Sequence, residues 1–369
     1  MPTVVCTMIA LSVVAGLAQQ DGHDSLRSEA QQRGRARYVI EHVPLSLVYS
    51  GLLEGVVQPR DAKLGVGLYM LSAGGLIAGS FAIPTTPAQA HLSIAYGYRG
   101  MLTGAGLAEV LGVRDAGARC FTALGSGVAA EFWGYRLARG MSAGQAQLLS
   151  TYTDVGILGG GLLWGMTFQG DPVPWLLLGE GVGIGAGYLR QRSLSYTEGQ
   201  AMFVRTTGVL GALAPVGLTY ALAGSDGVGA LNGRFASGTA LLGSLGALYY
   251  AERHIGNYPL TAGGGVACAG LAAAGALLGG GLAFLVSPND YYGIGETSQR
   301  MIVGGATLGA VGGLAAGLSL AKRSAALTQG SWLTPNDRLA VNWTILSASA
   351  LSYAKDKQFS APGLVTFRF

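Results

Sequence analysis

Residues 175–221 read WLLLGEGVGIGAGYLRQRSLSYTEGQAMFVRTTGVLGALAPVGLTYA, and the fold turns on how this stretch is interpreted. In its first arm Gly179, Gly183 and Gly187 fall at every fourth residue of an apolar run, which lays a strip of bare backbone along one helix face. Arg190 and Arg192 close that arm. Ser195-Tyr-Thr-Glu198 has the spacing of a capping box, in which the serine and glutamate side chains take up backbone donors at a helix start. A second helix follows, carrying Arg205, Gly208, Gly211 and Pro215. In water each interior glycine costs a helix about 1 kcal/mol relative to alanine. A glycine-rich hairpin must recover that cost by close helix packing, and a membrane is the natural setting for it.

Outward from this unit, residues 38–324 divide into about ten apolar segments, each long enough to span a bilayer and separated by short polar turns. Two types alternate. One, at Lys63–Ile83, Ala118–Arg139, Trp175–Arg192, Arg234–His254 and Arg300–Arg323, mostly ends in basic residues, which suit the negative end of the helix dipole. The other, at Tyr38–Val57, Pro87–Val113, Ser142–Gln169, Ser195–Ala223 and Pro259–Val286, mostly opens on a capping signal. Thr86-Pro-Ala-Gln89 and Ser142-Ala-Gly-Gln145 share the box spacing, and Gln89-Ala90, Gln145-Ala146 and Gln200-Ala201 recur beside it. Gly127, Gly181 and Gly246 taken as equivalent positions give the period of a tandem duplication. The expected fold is therefore all-α, a series of membrane-spanning helical hairpins. The cleanest glycine strip, Gly305, Gly309, Gly313 and Gly317, is expected to pack on Gly161/Gly165 or Gly275/Gly279, or to mediate self-association.

The ends differ from the middle. Residues 1–18 have the length and apolarity of a signal peptide, with Gly16-Leu17-Ala18 as the cleavage site, so export is expected. Residues 19–37 read as a polar leader. Residues 325–369 form a more polar, β-like tail ending in the alternating run Gly363-Leu-Val-Thr-Phe-Arg-Phe369. Signal peptide, glycine-rich hairpins and terminal phenylalanine together resemble uncharacterised bacterial envelope proteins, a resemblance that implies location but no activity. The rival architecture is an outer-membrane β-barrel. Its support is the terminal Phe369 and the glycine at every second residue from Gly179 to Gly187, a strand period as well as a helical one. Segments apolar on both faces speak against it, because barrel strands alternate with a polar lumen side.

Composition supports the membrane. Charged residues make up only 11% of the 369, against 62 glycines, and the mean hydropathy is +0.41. The net charge of +4 is scattered, which argues against nucleic acid as a partner and leaves membrane lipid. Seven basic residues at the capped turns (Arg136, Arg139, Arg190, Arg192, Arg253, Lys322, Arg323) face six at the opposite turns, so basic bias sets no orientation. The three cysteines and four histidines are dispersed, without metal-ligand spacing. No P-loop, HExxH motif or Ser-His-Asp order occurs, so no cofactor, metal or catalytic residue is expected. The chemical lead is the set of charges inside apolar segments: Glu54, Arg99, Glu131, Asp154, Glu180 and Arg205. Each costs at least about 2.5 kcal/mol near the bilayer centre unless paired or hydrated. Paired charges would mark a scaffold, and unpaired ones lining a cavity a channel or transporter. The expected function is structural and non-enzymatic, in the cell-envelope membrane, inner or outer. Asp154 and Arg205, at corresponding places in successive capped arms, are expected to compensate one another.

Overall fold

A computed structural model of the chain describes residues 25–167, 170–230, 233–258, 260–288, 295–329, 339–341 and 365–367. The described residues are overwhelmingly helical: α1 (Ser25–Val57), α2 (Ala62–Ser80), α3 (Pro87–Val110), α4 (Ala116–Leu137), α5 (Ala143–Thr167), α6 (Val173–Ser193), α7 (Glu198–Ala230), α8 (Gly233–Ile255), α9 (Ala262–Val286) and α10 (Glu296–Gln329). The barrel alternative falls here. Gly179 to Gly187, the stretch with a strand-like period, lies inside the continuous helix α6. The chain divides into a unit Met1–Leu318 and a unit Ser319–Phe369. In the second unit, Leu339–Val341 pairs antiparallel with Val365–Phe367. Most of the 325–369 tail, like residues 1–18, read as a signal peptide, lies outside the described residues.

The hairpin register differs from the sequence reading. α5 packs along α6 and α7 along α8, as α3 does along α4, so a unit begins with the capped helix and ends with the basic-ended one. The stretch 175–221 thus straddles two hairpins. Gly179, Gly183 and Gly187 of α6 press on Gly156, Tyr152 and Leu149 of α5, not on α7. The capped helices α1, α3, α5, α7 and α9 form one row, each packed on the next, while the basic-ended helices pack against their own partners and diagonally across the row.

One geometry recurs at the four hairpins that open on α3, α5, α7 and α9. Fourteen residues after the caps Thr86, Ser142, Thr197 and Thr261 stand Gly100, Gly156, Gly211 and Gly275. A Cβ at any of them would run into the returning helix, at Ser126, Gly179, Gly243 or Gly309. On α10, Gly305, Gly309, Gly313 and Gly317 meet Gly279, Gly275, Leu271 and Cys268 of α9. Gly161 and Gly165 are not their partners. They face Leu176 and Ser237. The equivalence of Gly127, Gly181 and Gly246 also fails. Gly127 touches Met101 and Tyr49, whereas Gly181 and Gly246 face open space; Gly183 on α6 corresponds to Ala130 on α4, each lying against the crossing glycine of the preceding helix.

The capped turns are two-sided fasteners. Thr86/Gln89 and Ser142/Gln145 form the expected boxes. In the third turn the box is Thr197/Gln200 rather than Ser195/Glu198, with Thr197 N donating to Gln200 Oε1 at 2.7 Å and Gln200 N to Thr197 Oγ1 at 3.2 Å. Glutamine matters because an amide accepts on one side and donates on the other. Gln145 Nε2 donates to the Gln191 carbonyl (3.2 Å), and Gln200 Nε2 to those of Ile255 and Tyr258 (3.2 and 2.7 Å). These bonds tie the start of a capped helix to the end of its own return helix. At the opposite ends, Asp61 and Asp115 cap α2 and α4.

α1 extends into the stretch read as a polar leader. Arg37 is neutralised there, and glycine at position 34 lets the helix sit against the Thr85 carbonyl. Four described helical stretches, rather than about ten, are long and apolar enough by themselves to cross a membrane: 62–80, 198–224, 262–286 and 296–322. α3 and α5 read as more polar because they carry the interior, with Ser93, Arg99, Gln147, Ser150, Thr151 and Thr153 all buried.

Candidate functional site

The row of capped helices brings most of the charged interior together. Arg99, only 6% exposed, reaches from α3 to α5, where Nε and Nη2 donate to Asp154 Oδ1 at 3.1 and 2.5 Å. Its Nη2 also donates to the Ser150 carbonyl and Oγ at 3.0 and 2.7 Å. Arg205 of α7 approaches the other carboxylate oxygen of Asp154 at 2.7 Å. Asp154 is therefore shared by two arginines on the helices flanking its own. The Asp154–Arg205 pair was foreseen by position; Arg99 completes a triad with a net charge of +1.

A second cluster balances it. Arg37 donates to Glu41 at 2.7 Å and to Glu198 across the row, giving a net charge of −1. His91 Nδ1 stands 3.4 Å from Arg37 Nη2. Neither Arg37 nor Glu198 was legible as interior, since one sat in the presumed leader and the other in the presumed cap.

Glu131 of α4 accepts from Tyr38 Oη at 2.7 Å and lies 3.1 Å from His42 Nε2, so both partners come from α1. Glu252 of α8, its side chain 6% exposed, pairs with Arg190 at 2.8 Å and accepts from Tyr152 at 2.7 Å. Its neighbours Arg253 and His254 made it look like part of a charged helix end. Just below, the Tyr196 hydroxyl in the turn before α7 donates to the Glu252 carbonyl at 2.9 Å; burial, then the Glu252 charge, raises its pKa above the ordinary phenol range.

Among the described residues, two of the six sequence-identified charges have no cation within ion-pair distance. Glu54 lies against Gly65 and Pro59 at the start of α2. Glu180 on α6 accepts one hydrogen bond, from Thr103 Oγ1 at 2.6 Å, and lines a cavity of about 330 Å³ with Tyr96, Trp133 and Leu177. Among the described residues no cluster of three metal-ligating side chains occurs.

Fold and interior together define a stack of helical hairpins with a charge-compensated core. No known protein family, curated protein or solved structure matches the chain.

Proposed function

We propose that the protein is a non-enzymatic integral membrane protein of the bacterial cell envelope with a structural, scaffolding role. The observation that carries this reading is that large apolar side chains are exposed along the helices while a set of polar ones is buried within the apolar core. The large side chains turned outward are apolar, among them Leu71, Leu102, Leu189, Leu222, Leu277 and Leu285, while Arg99, Gln147, Ser150 and Thr153 are buried. Exposed charges such as Arg60, Asp61, Arg114, Arg136, Arg139 and Arg192 gather at the turns on either end of the helices. An apolar belt between two charged rims matches a bilayer, and a continuous exposed apolar surface of this kind is foreign to soluble monomers. Membrane lipid is the partner that covers it.

All ten helices cross in this reading. The four most apolar cross on their own merits, and the others carry polar side chains such as Ser46, Arg99, Gln147 and Ser150 buried inside the stack. A scaffold also accounts for the paired interior charges. The glycine strips of α6 and α10 are occupied by α5 and α9, so self-association through them would have to displace a helix of the same chain. Export by cleavage of residues 1–18 completes the reading, and sequencing of the mature N-terminus should begin at Gln19.

Alkaline carbonate extraction of cell membranes tests the assignment. The protein is expected in the pellet, and release into the supernatant would overturn the membrane reading. A channel or transporter is the second reading, favoured by Glu180, a carboxylate that lines a cavity. Ion or solute flux in liposomes that disappears in Glu180→Gln would favour it over the scaffold.

A further inference from the structure

The geometry points to a binding site for a small hydrophobic organic cation in the cavity between α3, α4 and α6, whether or not the stack serves only as a scaffold. The other charged interior clusters satisfy their carboxylates: Asp154 holds Arg99 and Arg205, Glu198 holds Arg37, Glu252 holds Arg190, and Glu131 has His42 and Tyr38. Among the described residues Glu180 has only the Thr103 hydroxyl, and no cation lies within ion-pair distance of it. A carboxylate in an apolar recess gains strongly from a positive partner, because desolvation weakens its screening. Among the described residues Glu54 also has no cation within ion-pair distance, but its carboxylate stands beside the backbone of Gly65 rather than in this cavity.

The walls select the kind of cation. Besides Glu180, the cavity offers three hydroxyl side chains, Thr103, Ser126 and Tyr96, and is otherwise apolar and aromatic. That is too few oxygens for calcium, which takes six or more. Trp133 and Tyr96 stand edge to face with ring centroids 5.1 Å apart, and an aromatic wall beside a carboxylate suits an alkylammonium group. Arg99 does not fill this role, since its guanidinium lies on the Tyr96 ring, 5.4 Å from the centroid, and bonds to Asp154. A volume of about 330 Å³ takes one ring and a few methyl groups.

The test uses the full chain in lipid nanodiscs and equilibrium dialysis of benzyltrimethylammonium and of its neutral carbon analogue, neopentylbenzene, with empty nanodiscs as background. Saturable binding of the cation is expected. Glu180→Gln should weaken it about tenfold or more and leave the neutral compound unchanged, while Trp133→Leu should weaken the cation severalfold. Absence of saturable cation binding, equal cation affinity in Glu180→Gln, or a neutral analogue bound as tightly as the cation overturns the site. Should Glu180→Gln not fold, Trp133→Leu decides, because its side chain is half-exposed; unchanged cation affinity there also overturns the site.

Discussion

Asp154 is the residue on which the interior balance depends. It is the single carboxylate between Arg99 and Arg205, and Arg99 is nearly inaccessible. Asp154→Ala should therefore cost about 3 to 5 kcal/mol, the penalty of leaving a buried charge uncompensated. Arg205→Ala should cost no more than about 1 kcal/mol, because Arg205 is 45% exposed and Asp154 keeps Arg99. A double-mutant cycle of the two, read by unfolding in detergent, is expected to be non-additive, and additivity would remove the coupling. Position in the chain identified Arg99 and Asp154 as interior charges. It did not identify their pairing, because the rotation of neighbouring helices in the row decides which side chains meet, and no local spacing encodes that rotation. Glu198 misled for a different reason. Two box spacings overlap at residues 195–200, and the Thr197/Gln200 box prevails because its amide also fastens the end of α8. Gln200→Glu keeps the acceptor but loses both donor bonds, so a loss of about 1 to 3 kcal/mol is expected. Ser195→Ala, outside the box, should change stability by less than about 0.5 kcal/mol in the same unfolding assay.

Helices of this composition are held by contact between backbones. Gly313 and Gly312 are adjacent on α10, yet a Cβ at Gly313 would meet the Leu271 carbonyl, while one at Gly312 would meet nothing within 4 Å. Gly313→Leu should thus force α9 away and destabilise the protein by several kcal/mol. Gly312→Ala is expected to be neutral or stabilising within about 1 kcal/mol. Similar melting temperatures for the two variants in detergent would count against backbone packing as the source of stability. The elements themselves were the most legible feature of the chain. Apolar length, basic ends and Thr/Ser-x-x-Gln signals mark most helices to within a few residues, although α1 begins well before Tyr38 and α7 and α10 run on past Ala223 and Arg323. Their pairing was less legible, because a glycine strip announces a close contact without naming the partner. α6 could have packed on the helix before or after it, and only the crossing glycine fourteen residues beyond each cap selects the one before.

At the scale of the whole molecule, apolar side chains are exposed along the helices, and the mainly apolar interior holds two main charged clusters, one of net charge −1 and one of +1, that offset one another. Hydropathy alone picks out four described stretches long and apolar enough to cross a membrane, because helices such as α5 carry Gln147, Thr151 and their polar neighbours at buried positions. The proposed passage of all ten helices through the bilayer places the turns before α3, α5, α7 and α9 on one side and those before α2, α4 and α6 on the other. Single-cysteine labelling measures this directly. In a background with the native cysteines replaced by serine, Arg139→Cys, Ser195→Cys and Gly256→Cys form one set, and Arg60→Cys, Arg114→Cys and Asp171→Cys the other. With a membrane-impermeant maleimide applied to sealed, uniformly oriented vesicles, one whole set should label and the other only after the membrane is opened. Labelling of both sets in sealed vesicles, or a mixed pattern within either set, would contradict a stack of membrane-crossing hairpins.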